Sequence, residues 1–222
     1  VISELGTECL AVARWGGKAA RLAELALHGH PVPPALCLTT DDHAGAATER
    51  AIGLWLSSTR PRRVILRTSL ASEDTEEHAR AGATRSEAGV EPVADRVLDR
   101  VRALLTHYRD VAGSVLLQEE AHCAFGGVAF VDGAETTIEV ADTTSGVTAG
   151  QAPLTRVTVR DGSLRATRLR GPVPVLELVR KLLPVLGRVH DHFGWAADVE
   201  WGYVAGGVLV LQVRPITREL RP

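Results

Sequence analysis

From about residue 115 onward the chain is cut into short β-branched runs by glycine or Asp-Gly, and this punctuation restricts the fold more than any other feature. The runs at 115–119, 127–131, 136–140, 155–159, 164–169, 197–203 and 208–214 each have the length and Val/Ile/Thr content of a strand. One helical stretch, 175–192, interrupts them, and Pro184 predicts a kink in it. Before residue 110 the texture differs. Ala19, Leu22, Leu25 and Ala26 fall on one face of a predicted helix over 17–28, with Gly29 placed to close it. Pro31, Pro33 and Pro34 stop that helix and lead into a strand over 35–38. A second helix is expected over 42–57, capped by Thr40 or Asp41, then a strand over 64–67. A third helix over 92–108 has Val93, Val97, Val101 and Leu104 as its buried stripe. Between these, residues 68–89 are small and polar without periodicity, the pattern of a functional loop. The expected fold is α+β in two lobes, 1–110 and 111–222.

At 222 residues and 23.7 kDa the chain is long enough to bury a sizeable core. Its net charge of −2 offers no long-range attraction to nucleic acid or an anionic membrane, so neither is expected as a partner. Cys9, Cys37 and Cys123 are scattered and odd in number, which argues against a disulfide framework or a zinc site and for a reducing compartment. No apolar run approaches the ~20 residues a membrane span needs, and no signal peptide is recognisable. A cytoplasmic location is the expectation. Without any methionine, the sequence reads as a processed or trimmed chain, or as one part of a longer one.

Only two of the 25 basic residues are lysines, Lys18 and Lys181. Lys18 follows Gly16 and Gly17, so two residues without side chains lead into a compact, flexible point charge. Lysine binds phosphate as such a charge, whereas arginine is a planar fork. The plain alternative is a solvated lysine in the first turn of a helix.

The last two predicted strands carry a second pattern. With Ala205, Gly206 and Gly207 as a three-residue loop, Glu200 stands opposite Gln212 and Asp198 opposite Arg214. Val199, Trp201, Tyr203, Leu209, Leu211 and Val213 then form the core face. A two-residue loop would divide Glu200 and Gln212 between faces. One face thus gathers a carboxylate, an amide oxygen and a guanidinium. Hard Mg²⁺ takes oxygen ligands, keeps several waters, and uses one or two protein groups beside substrate phosphates. A solvent-exposed face with a weak Asp198–Arg214 surface pair is the alternative reading.

Five blocks of sequence, in order, resemble one family. Gly16-Gly17-Lys18 with Leu22, followed by Pro31-Val32-Pro33-Pro34, is similar to the opening of the nucleotide-binding domain of pyruvate phosphate dikinase and phosphoenolpyruvate synthase, which also occurs in rifampicin phosphotransferases. Leu66-Arg67-Thr68-Ser69 with Ala71-Ser72-Glu73-Asp74, Gln118, Gly127-Val128-Ala129-Phe130, Asp198-Val199-Glu200-Trp201 and Leu211-Gln212-Val213-Arg214-Pro215-Ile216-Thr217 resemble its later segments. The resemblance implies an ATP-grasp fold, two lobes with antiparallel sheets sandwiching ATP. It implies Lys18 and Arg67 on the phosphates, Gln118 near the adenine, Glu200 and Gln212 holding Mg²⁺, and Arg214 on the phosphates. Lys18, Arg67 and Arg214 would be the catalytic charges. Gly82 and Ser86 would cover the triphosphate from a loop within 68–89, where backbone N–H groups and a small hydroxyl suit phosphate oxygens.

The chain departs from that family in several places. Ala79 and Ala83 replace a bulky aromatic and a glutamine, and Asp142-Thr143-Thr144-Ser145 replaces a Gly-Leu-Gly-Glu segment. The chain is expected to lack the domains that carry the phosphorylated histidine and the acceptor site in that family. His190 and His192 read as polar helix-end residues, and His78 is the one histidine inside the expected phosphate loop. The leading expectation is an Mg-ATP-dependent phosphotransferase of kinase or dikinase type, acting on a histidine of a partner protein or on a small-molecule acceptor. The alternatives are a non-catalytic ATP-binding or regulatory domain and an ATP-grasp ligase forming an acyl phosphate.

Overall fold

The computed structural model describes residues 1–72, 85–141, 155–169, 175–205 and 207–216, and they form two units. The first comprises Val1–Gly29 and Pro33–Glu120. Its elements are β1 (Ile2–Glu4), a 3-10 turn (Thr7–Leu10), α1 (Val12–Trp15), α2 (Gly17–Leu27), β2 (Ala35–Thr39), α3 (Ala46–Thr59), β3 (Val64–Leu70), β4 (Ser86–Val90), α4 (Ala94–Tyr108) and β5 (Gly113–Glu119). The strands make an antiparallel sheet in the order β1-β2-β5-β3-β4.

Each face of this sheet is committed to different helices. Leu36, Leu38, Val64, Leu66, Val115 and Leu117 alternate onto one face and form a buried core with Ile52 and Trp55 of α3 and the stripe of α4. The opposite face carries Cys37, Arg67, Ser69, Ser114, Leu116 and Gln118, the side to which α1 and α2 are tied. Ser114 Oγ donates to Trp15 O at 2.6 Å, and the Ala19 amide donates to Ser69 Oγ at 2.9 Å.

Several elements differ from expectation for local reasons. α2 ends as expected, with Gly29 taking a positive φ of 71°. α3 begins at Ala46 rather than near residue 42, because Asp42 braces the turn ahead of it. Its Oδ1 accepts from the Ala44 amide at 2.8 Å and from Thr48 Oγ1 at 2.6 Å. In α4 the buried stripe is Val97, Val101, Leu104, Leu105 and Tyr108, whereas Val93 precedes the helix and is 49% exposed. β4 lies in the stretch expected to be a loop, and it pairs with β3, Ser86 opposite Arg67. Its Ser-Glu-Ala-Gly-Val sequence lacks the β-branched alternation that marks a strand.

The second unit comprises His30–Val32 and Ala121–Pro222. It contains β6 (Phe125–Val131), β7 (Glu135–Ala141), β8 (Thr155–Arg160), β9 (Ser163–Leu169), α5 (Val175–Phe193), β10 (Ala197–Val204) and β11 (Gly207–Pro215). The division falls after Glu120, not near residue 110, because β5 pairs with β2 and β3. The sheet is antiparallel in the order β11-β10-β6-β7-β8-β9. Along the outer side of β11 the Val210 amide donates to Pro31 O at 2.7 Å, which attaches the 30–32 segment to this unit.

α5 packs on β6, β10 and β11 and runs unbroken through Pro184. Its Leu178, Val179, Leu182, Leu186 and Val189 are buried, matching a sheet face of Ala129, Ile138, Val157, Val199 and Trp201. The opposite face of the same strands carries the polar residues Glu139, Asp198, Glu200, Gln212 and Arg214. Among the described residues no helix is long and apolar enough to cross a membrane.

The β10–β11 hairpin corrects the loop expectation while keeping its consequence. Val204 pairs with Gly207, so two residues, not three, separate the strands at the turn. A register shift between Glu200 and Trp201 then adds one residue, a β-bulge, and restores Glu200 opposite Gln212 and Asp198 opposite Arg214. On the turn side of the bulge the faces of β11 exchange. Val208 and Val210 are buried, and Leu209 and Leu211, expected in the core, are only half-buried. Val210→Ala should therefore cost about 2 kcal/mol and Leu209→Ala under about 1 kcal/mol. Urea unfolding of the two variants checks this, and the reverse order would place the shift elsewhere.

Candidate functional site

In the first unit the expected site residues gather on the sheet face that carries α2. The turn into α2 is made by Gly16, with φ 79° and ψ 160°. An ideal Cβ at Gly16 would lie 2.2 Å from Ser69 O, so only glycine lets the start of α2 approach β3 this closely. Lys18 follows on the first turn. It is only 6% exposed, and its Nζ donates to Thr68 O at 3.0 Å. The reading of Lys18 as an ordinary solvated lysine is thereby removed, since an ammonium is buried only where it is paired or hydrogen-bonded.

Thr68 is next to Arg67, which is also buried and points to the α2 face with Gln118. Gln118 is held in β5 between Ile65 and Ala35, and its Nε2 donates to Pro33 O at 3.4 Å. Ser86 is directly opposite Arg67 and is exposed. The chain that leaves β3 after Leu70 returns at Arg85, whose amide donates to Thr68 Oγ1 at 2.9 Å and whose carbonyl accepts from the Thr68 amide at 3.0 Å. The long polar stretch is thus closed at its base on the residue that holds Lys18. Gly82, Ala79, Ala83, His78, Glu73 and Asp74, and with them most of the expected phosphate loop, lie outside the described residues, as do Asp142, Thr143, Thr144, Ser145 and Thr217.

In the second unit the face opposite α5 brings Glu200, Gln212 and Arg214 together. Glu200 and Gln212 are directly opposed, so their side chains leave neighbouring strands on the same side. Asp198 holds Arg214: Nε and Nη2 both lie 2.7 Å from Oδ2. The other carboxylate oxygen, Oδ1, is buried without a hydrogen-bond partner. Burial pushes the Asp198 carboxyl up from its ordinary value, the Arg214 guanidinium opposes this, and the nearby Glu200 and Glu139 add to the rise. None of the described strand positions on this face is a histidine.

The donor set fits a hard divalent cation. Among the described residues no group of three or more His, Cys, Asp or Glu could hold a metal. Glu200 and Gln212 supply two oxygen donors, which suits Mg²⁺ shared with phosphates and waters and does not suit zinc. Sequence reasoning overlooks Glu139 and Arg156, which share this face through the register Glu200–Val128–Glu139–Arg156. Their signal is the polar–apolar alternation of Glu135–Ala141, which identifies a strand but not what its polar side faces.

Neither a protein-family profile nor a curated protein matches the sequence. Solved structures do. The D-alanine-D-alanine ligase from Coxiella burnetii is similar with a TM-score of 0.52 and 12% identity over 93% of this chain and 48% of that one. The ADP complex of purK, an N5-carboxyaminoimidazole ribonucleotide synthetase, gives 0.51 and 14% over 90% and 45%. The macrocyclase MdnC bound with precursor peptide MdnA, from Microcystis aeruginosa MRC, gives 0.50 and 12% over 91% and 53%. At such identities the likeness concerns the fold, and the fold is ATP-grasp, α+β with two antiparallel sheets. The chain spans about half the length of these proteins.

The position of Gly16 makes a direct prediction. Gly16→Ala places a methyl against Ser69 at a positive φ and should destabilise the first unit by about 2–4 kcal/mol. A melting temperature within a degree of the parent would contradict the close approach of α2 to β3.

Proposed function

We propose that this chain is the nucleotide-binding part of an ATP-dependent enzyme. The observation that carries this reading is the opposed Glu200–Gln212 pair beside a carboxylate-held Arg214, on the face opposite α5 of a sheet in an ATP-grasp fold. Glu200 and Gln212 would hold Mg²⁺, and Arg214, Lys18 and Arg67 would meet the phosphates. Gln118 would lie near the adenine, and Gly82, with Ser86 at the start of β4, would serve as further phosphate ligands. When bound, Mg²⁺ neutralises phosphate oxygens. The chain's own task is to position the triphosphate and to place fixed positive charge where negative charge develops. Lys18 is suited to this by its anchorage: a buried ammonium already held on Thr68 O needs little reorganisation.

For the acceptor, the similar solved structures are a ligase, a synthetase and a macrocyclase, and this likeness supports a carboxylate activated as an acyl phosphate. Phosphoryl transfer to a histidine on a partner protein, or to a small molecule, is a second reading. It is supported by the five ordered sequence blocks, in which Lys18, Arg67, Gln118, Glu200, Gln212 and Arg214 occupy the matching positions of the dikinase and synthase family.

Incubation with Mg-ATP separates the readings. ADP formed with a carboxylate donor, together with hydroxamate when hydroxylamine is present, supports the acyl-phosphate reading. AMP, with phosphate on a histidine-bearing partner, supports the dikinase-like one. Binding of Mg-ATP without turnover on any acceptor leaves a non-catalytic binding domain. Lys18→Ala and Glu200→Ala should each weaken Mg-ATP binding at least about tenfold in calorimetric titration, roughly 1.4 kcal/mol. Unchanged affinity in both variants would sink the site assignment.

A further inference from the structure

Arg214 is not the only arginine on its face that is gripped by a carboxylate. Arg156 of β8 is directly opposite Glu139 of β7, as Arg214 of β11 is opposite Asp198 of β10. The two pairs are built alike. Arg214 donates from Nε to one oxygen of Asp198 and its Nη2 lies 2.7 Å from that same oxygen, and Arg156 donates from Nε, at 2.8 Å, and from Nη2 to a single oxygen of Glu139. In each pair the carboxylate side chain is mostly buried, 10% and 13% exposed, and the guanidinium side chain is more than half exposed, 56% and 51%. Ordinary surface ion pairs expose both partners and contribute little. A carboxylate sunk in the sheet that grips the base of an exposed guanidinium fixes the orientation of a planar fork.

The place of the second pair within the sheet is specific. Gln212, Glu200, Val128, Glu139 and Arg156 stand in one cross-strand row, each directly opposed to the next. Directly opposed residues share a face, so Glu139 and Arg156 belong to the same surface as the candidate metal ligands. Arg156 lies three strands from Glu200, roughly 14 Å at ~4.8 Å per strand. Arg214 lies on the strand next to Glu200, whereas Arg156 stands beyond Glu139 on the same face, so the two guanidiniums meet different parts of a molecule laid across it.

We propose that Arg156, oriented by Glu139, binds an anionic group of the acceptor, a carboxylate or a phosphate. This inference rests on the nucleotide reading of Glu200 and Gln212 for its meaning, because it names the acceptor's side of that same face. It adds a substrate class: the molecule that meets the activated phosphate carries a negative charge at the end remote from the reacting atom. Arg214 serves the nucleotide and Arg156 the acceptor, through the same construction used twice. Glu139 is a positioning residue, since it acts through Arg156.

The test uses inorganic phosphate and, separately, succinate as probes. Each is titrated calorimetrically into the chain saturated with Mg–AMP-PCP. At least one should bind with millimolar affinity, and which of them binds tells phosphate from carboxylate. Arg156→Gln should weaken that binding at least about tenfold, and Arg156→Lys, which keeps the charge and loses the fork, should fall in between. Glu139→Gln should also weaken it, while the affinity for Mg–AMP-PCP in every variant stays within about twofold of the parent. Absence of binding by both probes, unchanged binding in Arg156→Gln, or loss of Mg–AMP-PCP binding in that variant would each overturn the proposal. If the parent fails to bind Mg–AMP-PCP, the nucleotide reading falls instead. The same titrations without nucleotide then decide whether Arg156 holds an anion.

Discussion

The polar face of the second sheet exists because β11 contains one residue more than its turn requires. Strands alternate with a strict period of two, so a single-residue slip moves every side chain to the other face. From the turn, Val204 opposite Gly207 sets a register that would place Gln212 on the side of α5. The shift between Glu200 and Trp201 cancels that displacement. Its effect is to bury Val210 and Val213 on the same apolar side although they are three positions apart, and to leave Gln212 and Arg214 beside Glu200 and Asp198. α5 needs the first outcome and the candidate site needs the second. One irregularity satisfies both, in keeping with the tendency of bulges to occur where a side chain must be re-aimed.

A comparable economy operates in the first unit. Thr68 is the single point to which Lys18, the return of the polar stretch at Arg85 and the register of Arg67 are all referred. Gly16 permits it by letting α2 come against Ser69. Lys18 is consequently held where an ammonium is largely withdrawn from water, and an opposite charge offered to it there would be screened less than at the surface. The scarcity of lysine in the sequence thus has a structural counterpart in this one buried ammonium, whereas Lys181 is an exposed partner of Tyr203 and Glu177.

Much of this is legible in the amino-acid sequence. The Gly and Asp-Gly punctuation marks the strands of the second unit to within a few residues, because strong β-branched runs leave little choice between periods. The pairing of Glu200 with Gln212 is readable for a reason that is incomplete. Polar–apolar sorting identifies the right partners, but the bulge that produces them, between Glu200 and Trp201, leaves no mark in the local sequence. β4 escapes sequence reasoning because Ser86 to Val90 owes its strand state to β3 rather than to its own composition. Val93 is misplaced because helix periodicity does not say where the first turn begins. Glu139 and Arg156 go unnoticed because long-range register, which alone places them in the Glu200 row, is not written in local pattern.

The nucleotide reading proposes ligands in each unit, Lys18 and Arg67 in the first and Glu200, Gln212 and Arg214 in the second. Amide hydrogen exchange, with and without Mg–AMP-PNP, tests this most directly. The account predicts slower exchange over 16–20 and 67–69 in the first unit and over 198–202 and 210–214 in the second, all at the same nucleotide concentration. Protection confined to one unit, or none in either at saturating nucleotide, would contradict it.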